Sequence, residues 1–129
     1  MDKLPKTKFV DVSVLVDTTR MLKDEEEREL MRISSELNDK ACQFVIDNIT
    51  EHTTEKDLVK KLLAYYEEIG VEGTSFAPII AFGDNGANPH GMPGDRKPKP
   101  GESVIVDIGG IKDKYCSDMT RTVFFKQPT

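Results

Sequence analysis

The chain has 129 residues, a length that suits one domain able to bury roughly two-thirds of the surface exposed by its unfolded form. Its 23 acidic residues outnumber its 18 Lys and Arg residues, the net charge is −5 and no basic run occurs, so we expect no nucleic-acid partner. Cys42 and Cys116 lack metal-type spacing and the N-terminus lacks an unbroken apolar segment, which indicates a reduced, cytoplasmic protein without a membrane span.

The N-terminal segment and a long helix come first in chain order. Residues 9–16 alternate valine with other residues, which predicts a short strand or an extended lead-in. Asp24 and Glu27 have the spacing of a capping box, in which each side chain accepts a backbone N–H of the other residue. Apolar residues then recur at three- and four-residue steps to Ile49, so the sequence predicts an amphipathic helix after Asp24.

A second helix, a strand and a long loop are predicted next. Thr54 and Asp57 repeat the capping-box spacing, and the amphipathic pattern after them ends at Gly70, as a helix C-cap would. Residues 76–82 form an apolar run of strand length. Residues 83–101 are rich in Gly, Asn, Asp and Pro, and a loop of this length in a compact domain is usually a binding element or disordered. We interpret it as a functional loop.

The last part of the chain predicts a hairpin that carries two aspartates. Residues 103–109 and 115–125 read as strands with period-two alternation, joined by a tight turn between residues 112 and 113. With the turn centred there, Asp107 would lie directly opposite Asp118. The predicted fold class is therefore α+β, with two helices packed on an antiparallel sheet.

Two interpretations of the aspartate pair are open. Side chains directly opposed in an antiparallel pair have Cβ atoms about 4.5–5.5 Å apart, where like charges repel, so Asp107 and Asp118 would need a proton, a cationic side chain or metal ions. Alternatively, one aspartate supports a turn and the hairpin is ordinary. His90 lies between Pro89 and Gly91, where it would be either a hydrogen-bonding and proton-transferring group or an exposed loop residue.

The sequence resembles a known family along most of its length. The run FAPIIAFGDNGANPHGMPGDRKPKPGESVIVDIGGIKDKYCSDMTRTVFF, residues 76–125, resembles the first half of the pita-bread metallopeptidase domain of methionine aminopeptidase, Xaa-Pro aminopeptidase, prolidase and creatinase. Residues 20–38 resemble the first helix of that domain, and AFGDNGANPH and SDMTRT favour the Xaa-Pro branch. We assign residues 1–19 as a lead-in segment and residues 20–129 as a partial pita-bread domain.

The resemblance implies a chemistry and a set of site residues. Asp107 and Asp118 match the first two aspartate ligands of a dinuclear Mn, Co or Zn site, with Asp118 in the bridging position, and His90 matches a histidine that contacts substrate. The implied activity of an aminopeptidase P or prolidase is hydrolysis of the bond before proline, in a peptide with proline at its second position. Creatinase-like chemistry also stays open, because the residues that distinguish it lie further along the family's domain.

The family's site is only half present in this sequence. It also needs a histidine and two glutamates from later strands, whereas residues 119–129 contain no His, Glu or Asp. His52, which precedes the second helix, is expected to be an ordinary exposed residue. We therefore expect the chain alone to be inactive and to bind the two metal ions weakly or not at all.

Three explanations of the half site are open. The chain holds the N-terminal half of a catalytic domain, which we favour; a second chain supplies the rest; or the fold serves as a non-catalytic peptide- or protein-binding module. Because a half domain exposes apolar surface and a sheet edge, we predict a homo-oligomer or association with a missing C-terminal half. Lys114-Tyr115 stands where the family usually has Gly-Tyr, a change in the turn that leaves the aspartate spacing unaltered.

Overall fold

The computed structural model describes residues 7–88 and 91–127. In these ranges the elements are α1 (Ser13–Met21), α2 (Glu25–Asp47), α3 (Glu55–Glu68), β1 (Gly73–Thr74), β2 (Ile79–Phe82), a 3₁₀ turn (Gly83–Ala87), β3 (Ser103–Ile108), β4 (Gly110–Lys112), β5 (Tyr115–Cys116) and β6 (Met119–Phe124). No helix in this part of the chain combines the length and the apolar character that a membrane span requires.

Both long helices begin where the sequence predicts, and α3 also ends there. Asp24 caps α2 and Thr54 caps α3, each in a complete capping box with the acidic residue three positions on. Gly70 follows α3 with φ +78°, a left-handed conformation that favours glycine after a helix. These signals act within one turn of helix, which explains why they can be read from the sequence alone.

Two antiparallel sheets lie against the helices. The larger sheet has the order β2-β3-β6, and the smaller one has the order β1-β4-β5. In β3, alternate residues are buried against α2 and α3, so Asp107 lies on the sheet face turned away from those helices. The core is formed by Ala41, Cys42, Val45, Leu58, Leu62, Tyr66, Val71, Ile80, Phe82, Val104, Val106 and Ile108. The predicted α+β class, with two helices packed on an antiparallel sheet, is confirmed.

The expectation of a strand or extended segment at residues 9–16 is wrong from residue 13 onward, because Ser13–Met21 form α1. A strand is stable only when it pairs with another, and no strand in the described ranges pairs with this segment. The helix instead begins next to Asp11, whose carboxylate accepts hydrogen bonds from the Ser13 N–H at 2.9 Å and from the Ser13 hydroxyl at 2.6 Å. Every residue of α1 is exposed.

The strand predicted for residues 76–82 is shorter than expected, because β2 begins only at Ile79. Pro78 precedes it and has no N–H to donate to a neighbouring strand. A further two-residue strand, β1, was not predicted, since so short a strand leaves no periodic signal.

The predicted hairpin register is wrong by two residues. Asp113 and Lys114 form the turn, with φ of +49° and +70°, so the turn lies one residue further along than predicted. As a result Asp107 pairs with Thr120 rather than with Asp118. The predicted first strand is also divided, because the chain leaves the larger sheet after Ile108 and enters the smaller one as β4.

Candidate functional site

Asp107 lies at a cleft on the outer face of the larger sheet. The cleft has a volume of about 270 Å³ and is lined by Ile79, Ala81, Gly86, Asn88, Ile105 and Asp107. The Asp107 side chain is half-buried, and its Oδ1 accepts a hydrogen bond from the Thr120 hydroxyl at 2.8 Å. Within residues 7–88 and 91–127, no Lys, Arg or His side chain forms an ion pair with it. The lining of the cleft therefore combines apolar side chains with the carboxylate of Asp107.

Asp118 is exposed and lies in the two-residue gap between β5 and β6. The corrected register places the Asp107 pairing partner, Thr120, two residues after Asp118. No cluster of three or more His, Cys, Asp or Glu side chains suited to a metal ion occurs in the described part of the chain. The two aspartates thus lie on neighbouring segments of one hairpin, without a third protein ligand among the described residues.

The remaining candidate residues differ in where they lie. His90 and Pro89 lie outside the described residues, so the proposed substrate contact of His90 stays a prediction. Asn88, two residues earlier, lines the cleft. His52 is exposed, as expected. Cys42 is buried, and burial raises the pKa of its thiol.

A buried polar network holds the chain where it crosses from β3 to β4. Asn38 of α2 donates through Nδ2 to the Ile108 carbonyl at 3.0 Å, and its Oδ1 accepts from the Tyr66 hydroxyl at 2.6 Å. Burial raises the pKa of Tyr66, so its hydroxyl stays protonated as the donor. Because Ile108 directly follows Asp107, these bonds fix the end of the strand that carries the first candidate ligand.

Ser117 holds the other side of the same crossing. Its hydroxyl lies 3.1 Å from both the Gly110 nitrogen and the Gly110 oxygen, and its carbonyl accepts a hydrogen bond from the Ser75 hydroxyl at 2.7 Å. Gly109 allows this close approach, since a Cβ there would lie 2.1 Å from Ser75 Oγ. Ser117 precedes Asp118, so this packing sets where the second candidate ligand leaves the hairpin.

The loop of residues 83–101 is anchored to the N-terminus of α3. The Glu55 and Lys56 N–H groups donate to the Arg96 and Gly94 carbonyls at 3.2 and 3.1 Å. The Lys99 N–H, and then Arg96, lower the pKa of the Glu102 carboxyl, which lies just beyond the loop. Hydrogen bonds to the first turn of α3 thus hold the second half of the predicted loop in place.

Sequence reasoning missed Glu55, a fully buried residue in the first turn of α3. An acidic residue in that turn is expected simply because it interacts favourably with the helix dipole. Asp57 in the same turn is recognisable from its capping-box spacing to Thr54, whereas only the tertiary contacts of Glu55 reveal its role.

Residues 29–129 match the sequence model of metallopeptidase family M24. The chain belongs to this family. Among curated proteins, this M24 chain is similar to an uncharacterized peptidase of Staphylococcus aureus, with 39% identity over 121 residues that cover 94% of this chain and 34% of the relative. The M24 chain therefore spans about a third of the length of that relative.

Solved structures give the same result for the fold of the M24 chain. A prolidase from Pyrococcus furiosus superposes with a TM-score of 0.89 at 32% identity, over 94% of this chain and 36% of that one. An X-Pro aminopeptidase from Thermotoga maritima superposes with a TM-score of 0.90 at 30% identity, over 99% of this chain and 36% of that one. The expected relation to the N-terminal half of a pita-bread metallopeptidase domain is confirmed.

Proposed function

We propose that this M24 chain is part of a metal-dependent peptidase of the aminopeptidase P or prolidase type, which hydrolyses the bond before proline. Membership of a metallopeptidase family and the structural likeness to a prolidase and an X-Pro aminopeptidase support the reaction class. The observation that carries the proposal to this chain is the half-buried carboxylate of Asp107 beside a cleft. We also propose that the protein is cytoplasmic, because its two cysteines, Cys42 and Cys116, have the spacing of neither a metal site nor a disulfide framework.

Asp107 and Asp118 would hold two divalent ions, Mn, Co or Zn. The donor set fits, because carboxylate oxygens suit hard cations and because Asp107 has no cationic side chain as a partner among the described residues. The Thr120 hydroxyl donates a hydrogen bond to Oδ1 of Asp107 and would orient the carboxylate. When bound, such ions would lower the pKa of a water molecule and polarise the carbonyl that the water attacks.

The cleft residues would bind the substrate. Ile79, Ala81 and Ile105 form an apolar surface that suits the pyrrolidine ring of a proline in a peptide with proline at its second position. Asn88 lines the cleft, and His90, two residues on, would contact the peptide as a hydrogen-bonding group. A peptide bound in the cleft would thus place its proline ring on the apolar surface and its polar backbone near the Asp107 carboxylate.

A second candidate function is a non-catalytic peptide- or protein-binding module on the same fold. It is favoured by the lack of any group of three metal-ligating side chains in the described ranges. On this reading the cleft still binds an extended peptide, but no hydrolysis follows.

A homo-oligomer or a C-terminal half would complete the site in the peptidase proposal. β2 and β6 each pair only with β3 in the described structure, so both edges of the larger sheet have no partner strand there, and the β6 edge is one of them. Phe124 of β6 is 56% exposed. An unpaired edge with an exposed aromatic residue favours association with further polypeptide.

Calorimetric titration with Mn²⁺ tests the ligand assignment, using the wild-type chain, Asp107→Asn, Asp118→Asn and the control Asp17→Asn. We expect weak binding that both site variants abolish and that the control keeps, because Asp17 is exposed on α1. Wild-type affinity in both site variants would overturn the assignment.

Hydrolysis of the dipeptide Ala-Pro, measured on the same samples, distinguishes the two candidate functions. Turnover that depends on Mn²⁺ would mean that assembly completes the site. Peptide binding without Mn²⁺ binding or turnover would favour the binding module.

A further inference from the structure

Glu55 carries a buried carboxylate that the proposed chemistry does not use. Its relative exposure is 0%, and burial of a carboxylate is costly unless hydrogen-bond donors surround it. Oε1 accepts from the Phe82 N–H at 2.8 Å, and Oε2 accepts from the Gly94 N–H at 2.7 Å. The Asn85 side-chain amide donates to both oxygens, at 3.0 and 2.9 Å. One side chain therefore joins three separate points of the chain.

Gly86 and Asn88 form one wall of the cleft, and the three points lie on either side of these two residues in the sequence. Phe82 ends β2, Asn85 lies in the 3₁₀ turn, and Gly94 lies in the second half of the loop. Gly86 and Asn88, which line the cleft, lie between Asn85 and Gly94 in the sequence. The wall also lies close to the sheet, since a Cβ at Gly86 would come within 2.9 Å of the Ile105 side chain.

We propose that Glu55 is a positioning residue of the proposed peptidase, whose carboxylate holds the cleft wall formed by Gly86 and Asn88 against the strand that carries Asp107. Capping of α3 does not require it, because Thr54 and Asp57 already form the capping box. Its role in peptide binding rests on the proposed function, whereas its role as an anchor of the loop does not.

The variant Glu55→Gln tests the anchor with almost no change in side-chain volume. A glutamine has one acceptor oxygen, so its NH₂ group would face either the Phe82 N–H or the Gly94 N–H, and two donors cannot bond. Asn85→Ala removes the central donor from a less buried position and guards against failure of Glu55→Gln to fold. Glu68→Gln makes the same chemical change at an exposed site on α3 and serves as the control.

Limited trypsin digestion reads the anchor directly. Within residues 83–101 the bond that trypsin can cut is Arg96–Lys97, because proline follows both Lys97 and Lys99. Loss of a hydrogen bond to a charged group should raise the cleavage rate at this bond by about ten- to a hundredfold in Glu55→Gln. We expect a smaller rise in Asn85→Ala and no change in Glu68→Gln. Equal cleavage rates in Glu55→Gln, Asn85→Ala and the wild type would overturn the anchor.

Calorimetry with Mn²⁺ alone, and then with the dipeptide Ala-Pro, separates positioning from a general structural role. We expect Glu55→Gln to keep the Mn²⁺ affinity within about twofold and to weaken Ala-Pro binding about tenfold or more, since only the cleft wall moves. Equal losses of both affinities would overturn the positioning role. If the wild type binds no Ala-Pro, the proposed function fails for this chain, and the trypsin result still decides whether Glu55 anchors the cleft wall.

Discussion

Replacing Asn38 by alanine should be among the most damaging polar substitutions in the chain. Asn38 is fully buried, and it bonds both the Ile108 carbonyl and the Tyr66 hydroxyl. Alanine removes the acceptor of the buried Tyr66 hydroxyl and a donor to the Ile108 carbonyl, and a buried group left without its hydrogen bond costs about 1–3 kcal/mol. We therefore expect Asn38→Ala to lower the free energy of unfolding by about 3 kcal/mol, as measured by urea denaturation followed by far-ultraviolet circular dichroism.

A double-mutant cycle identifies how much of this loss belongs to the bond with Tyr66. Tyr66→Phe removes the hydroxyl and leaves Asn38 Oδ1 without its 2.6 Å partner, at a cost of about 1–2 kcal/mol. In the double variant that cost is counted once, so the two single losses should exceed the double loss by about 1 kcal/mol.

Tyr65→Phe is the matched control for the cycle, because Tyr65 neighbours Tyr66 and its ring stacks on Phe44 at a centroid distance of 4.1 Å. Removal of its hydroxyl leaves that stacking in place, so the change should stay within about 0.5 kcal/mol. Additivity of Asn38→Ala and Tyr66→Phe to within about 0.3 kcal/mol would refute the reasoning, since it would show that the two side chains do not interact.

Three further predictions concern the hairpin and the buried tyrosine. Gly109→Ala should cost about 3 kcal/mol or more in urea denaturation, because the new Cβ would lie 2.1 Å from Ser75 Oγ and 2.3 Å from the Ser117 carbonyl oxygen; a near-neutral result would contradict the close packing. Lys114→Gly should raise the urea midpoint by an amount equivalent to about 0.5–1 kcal/mol, because Lys114 has φ +70° and glycine adopts that conformation without strain. A loss of stability would show that the backbone at residue 114 is not strained. Burial raises the pKa of Tyr66, so the folded state keeps that proton to higher pH than the unfolded chain does; the contribution of Tyr66 to stability should therefore be constant below about pH 10 and fall as the pH rises above it. Tyr66→Phe should reduce that alkaline loss, and an unchanged pH dependence of the unfolding free energy would show that Tyr66 is not its source.

Elements with local signals were predictable from the sequence. Asp24 and Thr54 predict helix starts because a capping box is complete within four residues, and both helices begin where expected. The alternation along residues 103–108 likewise gives the buried face of β3. The segment at residues 9–16 was misassigned because alternating valines indicate a strand only when a partner strand exists to pair with it.

Features that depend on unusual backbone conformation or distant contacts were not predictable. The register error arose because Asp113 and Lys114 adopt positive φ, which is uncommon for residues other than glycine. Asp107 and Asp118 were found as a pair on one hairpin, and their assignment as metal ligands comes from the resemblance and stays a prediction. Glu55 was missed because its partners lie 27 to 39 residues further along the chain.

The long separation between α2 and its strands has a consequence for synthesis. Asn38 bonds a carbonyl 70 residues further along the chain, and the side chains that cover α2 and α3 come largely from residues 79–108. At roughly 5–20 residues per second, a ribosome needs roughly 4–14 s to add those 70 residues. During that interval two amphipathic helices emerge with uncovered apolar faces. A nascent chain stalled before residue 103 is therefore expected to be a good substrate for a holding chaperone, and release should follow once β3 and β6 have been translated.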